Sequence, residues 1–205
     1  MKRICSNFLF STLLLITLNA CRHNEKLPIL GQRSWNGTDT LYSQIPDFTM
    51  TDQDNQKIQL TLLKGKANVA CFFFTSCPTI CPKVMRNIMR INQHFNSAAD
   101  IDYLCFSLDF KRDSISRLNE YYNKVGFTNP RIHLMRGNDP DQIKNLASYY
   151  MSTAVEDDSA PGGINHSGWI LLSDHQRHLR SYALGTDEKD VDRLIIDIEK
   201  LLNEN

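Results

Sequence analysis

Two cysteines follow an apolar run in the stretch Phe72-Phe73-Phe74-Thr75-Ser76-Cys77-Pro78-Thr79-Ile80-Cys81-Pro82. The run begins at Ala67, and its largely apolar character up to Thr75 predicts a strand that is covered on both faces of a sheet. Apolar residues then recur at helical spacing, which predicts a helix from about Pro82 to Phe95. Both thiols therefore lie where a buried strand meets the start of a helix, whose positive end lowers the pKa of a nearby thiol.

The spacing of Cys77 and Cys81 leaves two chemical roles open. The pair can close a disulfide when it is oxidised, or present two thiolates to one soft metal ion when it is reduced. A purely structural disulfide is the alternative, but a bridge across so short a loop removes little chain entropy and stabilises little. Cys71 and Cys105 fall within predicted strands, where we expect them to be small buried hydrophobic residues.

The rest of the chain alternates between strand and helix patterns. Such alternation predicts an α/β fold with parallel neighbouring strands, and a closing hairpin adds antiparallel edges, so we expect a mixed central sheet flanked by helices. The predicted segments are two short strands around a turn at 52–56, strands at 101–108 and 131–135, helices at 114–124, 140–150 and 189–202, and a hairpin of 168–172 with 179–184. We expect Asp113 or Ser114 to cap the helix at 114–124, and Asp139 to cap the helix at 140–150 with Pro140 at its first position.

The N-terminal segment has the features of a secretion signal. Basic residues at positions 2 and 3 precede an apolar run from Phe8 to Leu18, which is shorter than the roughly twenty residues that span a bilayer. The run ends in Leu18-Asn19-Ala20-Cys21, which resembles the lipobox of bacterial lipoproteins and implies a lipid on Cys21. An ordinary secretory signal is the alternative. We therefore predict a signal peptide at 1–20 and an extracytoplasmic protein that is lipid-anchored in a bacterial cell envelope.

Residues 21–44 are polar and lack a sustained period, which predicts a tether between the lipidated cysteine and a folded domain at 45–205. An N-terminal arm packed on the domain is the alternative reading of the same segment. Removal of the signal takes away Cys5, and lipidation occupies Cys21. Four thiols then remain in an oxidising compartment, where disulfides persist unless something reduces them.

Composition excludes several classes of protein. The chain has 205 residues, of which 41% are hydrophobic, so it is neither a disordered chain nor a low-complexity array. Lysine and arginine number 23, as do aspartate and glutamate, and this balance argues against a nucleic-acid-binding protein. No additional apolar face stands out, so a monomer is the default expectation.

A third ligand for a metal held by the two thiolates should come from a loop close to the same strand end. Of the six histidines, His166 ends a loop at 159–165 that precedes the last hairpin, and this loop can return to the strand end that carries Cys77 and Cys81. His94 lies too far along the helix, His133 lies within a predicted strand, and the remaining histidines are placed in the tether or beside a hairpin tip. His166 is therefore a candidate third ligand, although the residues alone do not decide it.

The motif around the two cysteines resembles that of the SCO/SenC family of copper-binding, thioredoxin-like proteins. The similarity extends over the following segments in the expected order: Ile45-Pro46-Asp47-Phe48, Leu63-Lys64-Gly65-Lys66, Ser107-Leu108-Asp109-Phe110-Lys111-Arg112-Asp113 and Asn165-His166-Ser167. Two features depart from the family pattern. Phe110 replaces the usual proline, and the hairpin tip at 174–177 lacks the usual glycine.

The resemblance implies a thioredoxin-like fold with an N-terminal strand extension and an inserted hairpin. It also implies that Cys77, Cys81 and His166 bind copper, as Cu(I) or Cu(II), for delivery to the dinuclear copper site of cytochrome c oxidase. Asp109 is a candidate to support the site by accepting hydrogen bonds around the ligands. The alternative is that its carboxylate only caps its own loop.

The resemblance is compatible with more than one function. A copper chaperone, which is not an enzyme, uses Cys77, Cys81 and His166 as ligands, and its partner is the copper-bearing oxidase subunit or another copper acceptor. A thiol–disulfide reductase for the metal-site cysteines of another envelope protein needs Cys77 and Cys81 as a redox pair but does not need His166. A dithiol peroxidase and a purely structural envelope lipoprotein are further alternatives.

Overall fold

The computed structural model describes residues 26–63, 67–95 and 100–204. The described residues form eleven strands and four α-helices. The strands are β1 (Arg33–Trp35), β2 (Thr40–Tyr42), β3 (Thr49–Thr51), β4 (Lys57–Gln59), β5 (Ala67–Phe73), β6 (Ile101–Ser107), β7 (Ile132–Met135), β8 (Ala154–Glu156), β9 (Ile164–His166), β10 (Trp169–Asp174) and β11 (Leu179–Leu184). The helices are α1 (Cys81–Phe95), α2 (Ile115–Val125), α3 (Pro140–Tyr149) and α4 (Glu188–Leu202).

The central sheet has five strands in the order β11-β10-β5-β6-β7. Strands β5, β6 and β7 are parallel, whereas β10 runs antiparallel to β5 and β11 runs antiparallel to β10. The mixed sheet predicted from the sequence is therefore confirmed. Every residue of β5 and β6 is buried, as expected for strands covered on both faces.

Two apolar cores lie on the two faces of this sheet. Alternate residues of β5 point to opposite faces, so Cys71 and Phe73 belong to one core and Ala70 and Phe72 to the other. The first core is closed by α1 and α4, and the second by α3 and the segment around Phe48. Cys71 and Cys105 are adjacent in β5 and β6 and fully buried in the first core, in agreement with their predicted structural role.

The helix starts follow from local chemistry. The Ser114 hydroxyl accepts a hydrogen bond from the backbone of Arg117, which caps α2. The Asp139 carboxylate accepts two backbone N–H groups at the start of α3, and Pro140 occupies the first helical position, where its missing N–H costs nothing. These caps agree with the sequence prediction, in which either Asp113 or Ser114 was a candidate for α2.

Part of the segment predicted as a tether lies on the domain instead. The backbone N–H of Leu30 donates to the carbonyl of Leu179 at 2.8 Å, and the N–H of Ile45 donates to the carbonyl of Arg177 at 2.8 Å. Between these attachments, β1 and β2 form a mostly exposed hairpin. The segment packs because its backbone polar groups find partners along the β10–β11 hairpin, which composition alone does not reveal. Residues 1–25, which include the predicted signal and Cys21, lie outside the described residues.

A short hairpin precedes the last two strands. Strand β8 pairs antiparallel with β9, so that Ala154 lies opposite His166. This is the inserted hairpin that the family resemblance implies, although strand pairing at 154–156 was not predicted from the sequence pattern. None of the helices within the described parts of the chain has both the length and the apolar character needed to cross a bilayer.

Candidate metal centre

The loop between β5 and α1 places the two thiols at one end of the central sheet. The backbone N–H of Cys77 donates to the carbonyl of Phe74 at 3.2 Å, which turns the chain sharply after the strand. Helix α1 begins at Cys81, and Pro82 falls in its first turn, where a missing N–H is tolerated. Cys81 is completely buried, whereas Cys77 keeps 7% of its surface exposed.

The third side chain arrives from a distant part of the sequence. His166 is the last residue of β9, and its Nε2 lies 3.5 Å from the Sγ of Cys81. The potential ligand atoms of Cys77, Cys81 and His166 all lie within 4.8 Å of one another. In the part of the chain that the structure describes, these three residues are the one group of three or more histidine, cysteine or acidic side chains close enough to hold a metal ion together.

Other histidines are placed elsewhere. His94 contacts Glu199 through its Nε2 at 2.9 Å, and the Nδ1 of His133 lies 3.0 Å from a carboxylate oxygen of Asp52. Both therefore have partners outside the group formed by Cys77, Cys81 and His166. His178 is largely buried beside Asp174, and its ring packs edge-on against that of Tyr42 in β2, with centroids 6.4 Å apart.

The local environment distinguishes the two thiols. Burial raises the pKa of Cys77, but hydrogen bonds from the backbone of Cys81 and Thr79 outweigh it and leave the pKa below that of an ordinary thiol. Burial raises the pKa of Cys81 strongly, and the charges of Cys77 and Asp113 add to this effect. In the metal-free protein, Cys77 is consequently the more readily ionised and more accessible thiol.

His166 is held in a form that can bind a metal. Burial lowers its pKa, so the imidazole is neutral at neutral pH, as metal coordination requires. The ring packs edge-on against Phe74, with centroids 5.5 Å apart and an interplanar angle of 72°. This contact fixes the plane of the imidazole while Nε2 faces the thiol of Cys81.

The carboxylate of Asp109 caps its own loop. It accepts a hydrogen bond from the backbone N–H of Arg112 at 3.0 Å and also contacts the Arg112 guanidinium, which in turn donates to the carbonyl of Gly162 at 2.7 Å. The contacts of this carboxylate therefore favour the loop-capping alternative over direct support of the ligands. Asp109 reaches the site only indirectly, through the loop that carries Gly162.

A different carboxylate, that of Asp113, holds the loop between β5 and α1, which we call the thiol loop. It is completely buried and accepts hydrogen bonds from the backbone N–H and the hydroxyl of Thr75 at 3.0 and 2.6 Å, and from the hydroxyl of Ser107 at 2.6 Å. Thr75 precedes Cys77 by two residues, so Asp113 fixes the chain just before the first thiol. Local sequence patterns predict Asp113 only as a possible cap of α2. The signal that could have identified it was its place in the quoted segment at 107–113.

Gly162 allows the loop before β9 to approach the site closely. Its φ is +86°, and a Cβ built on it would lie 2.7 Å from Cε2 of Phe74, the ring that packs against His166. The adjacent Gly163 has almost the same φ, +85°, but a Cβ there would meet nothing within 4 Å. Both glycines adopt a backbone conformation that other residues rarely adopt, but only Gly162 also needs the space of a missing side chain.

We therefore expect Gly162→Ala to weaken copper binding, whereas Gly163→Ala leaves it nearly unchanged. Both substitutions impose a similar backbone cost, on the order of 1 kcal/mol, but only the first pushes Phe74 against His166. Copper titration and thermal unfolding of the two variants measure the two effects separately. Equal copper affinities in the two variants would contradict the role assigned to Phe74.

The donor atoms fit one soft metal ion. Bonds from a metal to sulfur or imidazole nitrogen are about 2.0–2.3 Å long, so two ligands of one ion are separated by at most about 4.6 Å. The observed limit of 4.8 Å thus requires only a small approach of the three side chains. Thiolate and imidazole donors suit copper and zinc rather than magnesium or calcium.

Comparison with known proteins agrees with this geometry. Residues 37–203 match the protein-family model described as SCO1/SenC. The chain belongs to the SCO1/SenC family. The resemblance and the thioredoxin-like fold expected from the sequence are therefore confirmed.

Solved structures of Sco proteins share this architecture. A SCO1/SenC family lipoprotein from Bacillus anthracis has a TM-score of 0.68 and 22% identity, with 77% of this chain and 94% of that chain covered. BsSco, a member of the Sco family of cytochrome c oxidase assembly proteins, has a TM-score of 0.68 and 20% identity over 79% of this chain and 95% of its own. Yeast Sco1 with copper bound has a TM-score of 0.61 and 25% identity over 77% of this chain and 89% of its own.

Proposed function

We propose that this SCO1/SenC protein is a copper chaperone that binds one copper ion through Cys77, Cys81 and His166 and delivers it to the dinuclear copper site of a cytochrome c oxidase during assembly. The observation that carries the proposal is the convergence of the three ligand atoms within 4.8 Å. Two thiolates and an imidazole accommodate both oxidation states of copper, and thiolate softness favours Cu(I). Copper in yeast Sco1 and the assembly role of the Sco family that includes BsSco support the same assignment.

The placement of the ligands suits transfer rather than permanent storage. Cys81 is completely buried, whereas Cys77 and His166 keep 7% and 9% of their surfaces exposed. A copper site with three ligands from this protein also leaves a coordination position for a ligand from another protein. In the proposed handover, an incoming ligand from the acceptor approaches from the side of Cys77 and His166, and the protein's own ligands are released after the new bond has formed.

We place this activity on the extracytoplasmic face of a bacterial membrane. The segment at 18–21 resembles a lipobox, and the structural neighbour from Bacillus anthracis is a lipoprotein. Lipidation of Cys21 would keep the protein close to a membrane-bound oxidase. Because thiols in such a compartment tend to oxidise, Cys77 and Cys81 must be reduced before they can take up copper.

A thiol–disulfide reductase is the second candidate, and one specific observation favours it. The two thiols differ in the way a redox pair requires, since Cys77 is more exposed and has a lowered pKa while Cys81 is buried behind it. Cys77 would attack a disulfide of the partner protein, and Cys81 would then resolve the mixed disulfide, leaving a Cys77–Cys81 disulfide and a reduced partner. This chemistry does not use the imidazole of His166.

The variant His166→Ala separates the two functions. Titration of the reduced domain, residues 22–205, should show one copper per chain in the parent and an affinity at least about 100-fold weaker in the variant, because loss of a group that merely supports a ligand already costs about 10–100-fold. His94→Ala, which removes a histidine paired with Glu199, should bind copper like the parent. Thiol–disulfide exchange by His166→Ala should remain close to the parent rate.

Copper binding that is indifferent to His166 would contradict the three-ligand site and favour the reductase. Delivery itself is tested by mixing the copper-loaded domain with a reduced, metal-free oxidase copper domain and following its charge-transfer absorbance. We expect copper to appear in the acceptor. Reduction of an oxidised acceptor without any transfer of copper would again favour the reductase.

A further inference from the structure

The N-terminal arm is fastened to the domain by one buried arginine. Arg180, only 7% exposed, donates to the backbone carbonyls of Leu27 and Pro28 at 2.5 and 3.2 Å. Its guanidinium also pairs with the carboxylates of Asp174 and Glu204 at 3.0 and 2.6 Å. A second carboxylate oxygen of Glu204 accepts the N–H of Leu27 at 2.6 Å. We call this arrangement of Leu27, Pro28, Asp174, Arg180 and Glu204 the N-terminal clamp.

The clamp lies at the opposite end of the sheet from the candidate metal site. Asp174, the last residue of β10, is paired with Ala67, the first residue of β5. Strand β5 then runs away from the clamp towards Cys77, and its seven residues span about 20 Å at 3.3 Å per residue. Helix α4 runs back from the metal end to Glu204, which agrees with this placement.

The covalent chain allows little distance between the clamp and the membrane. Leu27 follows Cys21 by six residues. Whatever conformation they adopt, six residues extend no further than about 20 Å. The clamp must therefore stay within roughly that distance of a lipid attached to Cys21.

From these two distances we infer that the clamp holds the metal site on the side of the domain that faces away from the membrane. An inverted domain would raise the clamp above the bilayer by the length of β5 plus the loop to Cys77, which exceeds the reach of the chain. The inference rests on the proposed lipid anchor at Cys21. It also specifies the copper acceptor, which must present its ligands from a domain in water above the bilayer and not at membrane depth.

Energy transfer from two positions to the membrane surface tests this orientation. The full lipidated chain carries Cys77→Ser and Cys81→Ser to avoid unwanted labelling. It is placed in phosphatidylcholine–phosphatidylglycerol vesicles whose headgroups carry an energy-accepting dye. A donor dye is attached either at Lys83→Cys, exposed at the metal end, or at Gln176→Cys, exposed at the clamp end. We expect transfer to be several-fold more efficient from position 176 than from position 83. Equal efficiencies, or more efficient transfer from position 83, would overturn the inference.

Lengthening the chain before the clamp provides the matched control. A flexible Gly-Ser insertion of about twelve residues between Arg22 and His23 leaves every clamp contact in place. It more than doubles the greatest distance that the chain between Cys21 and Leu27 can span. The difference between the two positions should shrink in this variant, and an undiminished difference would contradict control by the arm. Cys21→Ser should abolish flotation with vesicles; flotation that is unaffected would overturn the anchor and, with it, the orientation. Copper binding of the inserted chain with its native thiols stays a separate readout of the proposed function.

Discussion

Cys77→Ser and Cys81→Ser are each expected to abolish tight copper binding by the reduced domain. A serine hydroxyl is a hard, essentially unionised donor at neutral pH, so each substitution removes one of two soft ligands from a three-ligand site. We expect copper affinity to fall by more than about 100-fold. Removal of a group that only hydrogen-bonds to a metal ligand already lowers metal affinity by about 10–100-fold. Titration with copper, followed through thiolate-to-Cu(II) charge-transfer absorbance, measures the loss.

Cys105→Ala is the matched control for these variants. Cys105 is another fully buried thiol of the same core, but it lies opposite Cys71 in the sheet and is not one of the three convergent side chains. Its substitution should lower stability through a small cavity while the chain still binds one copper. Full copper affinity in either serine variant, or loss of binding in Cys105→Ala, would refute the assignment of the ligands.

The second large effect is expected from Asp113→Ala. The substitution leaves the backbone N–H of Thr75 and the hydroxyl of Ser107 without their buried acceptor. Removal of one partner from such a buried, charged arrangement lowers the free energy of unfolding by about 3 kcal/mol or more. For a chain of this size, the midpoint of thermal unfolding should fall by roughly 10 °C. Because Thr75 leads into Cys77, copper affinity should also fall.

Asp139→Ala shows how much of this effect is specific to the site. Asp139 is an exposed cap that accepts two backbone N–H groups of α3, a helix of the second core, whereas the thiols belong to the first core. Its loss should cost about 1 kcal/mol. Copper affinity should remain that of the parent. Calorimetric unfolding and copper titration of both aspartate variants make the comparison. If Asp113→Ala were no more destabilising than Asp139→Ala, the carboxylate would not hold the thiol loop.

Several features could be predicted from the sequence because short-range chemistry determines them. The apolar run before Cys77 and the helical spacing after Cys81 identified the strand, the turn and the helix that carry the thiol pair. The cap at Asp139 was visible for the same reason, since a capping side chain bonds to backbone groups two and three residues away. The mixed sheet followed from the alternation of these local patterns.

The third ligand could not be chosen by local rules. His166 is separated from Cys81 by 85 positions, and the spacing in the chain contains no information about which histidine the fold returns to the thiols. Similarity to a family singled out His166, and the pairing of β8 with β9 beside β10 gives the physical reason. The role of Gly162 is equally non-local, because its missing side chain matters only where Phe74 is packed against His166.

The class of fold, and a thiol pair able to form a disulfide or bind a metal, could thus be predicted from residue order alone, because strands, helices and caps depend on neighbouring residues. Tertiary structure decided the functions of residues that act across long separations. In the folded chain, Asp113 accepts hydrogen bonds from Thr75 and Ser107, whereas Asp109 bonds within its own loop. Leu27, in the segment predicted as a tether, is bound by Arg180. Each of these outcomes depends on burial and on a hydrogen-bonding partner that only the folded chain brings within reach.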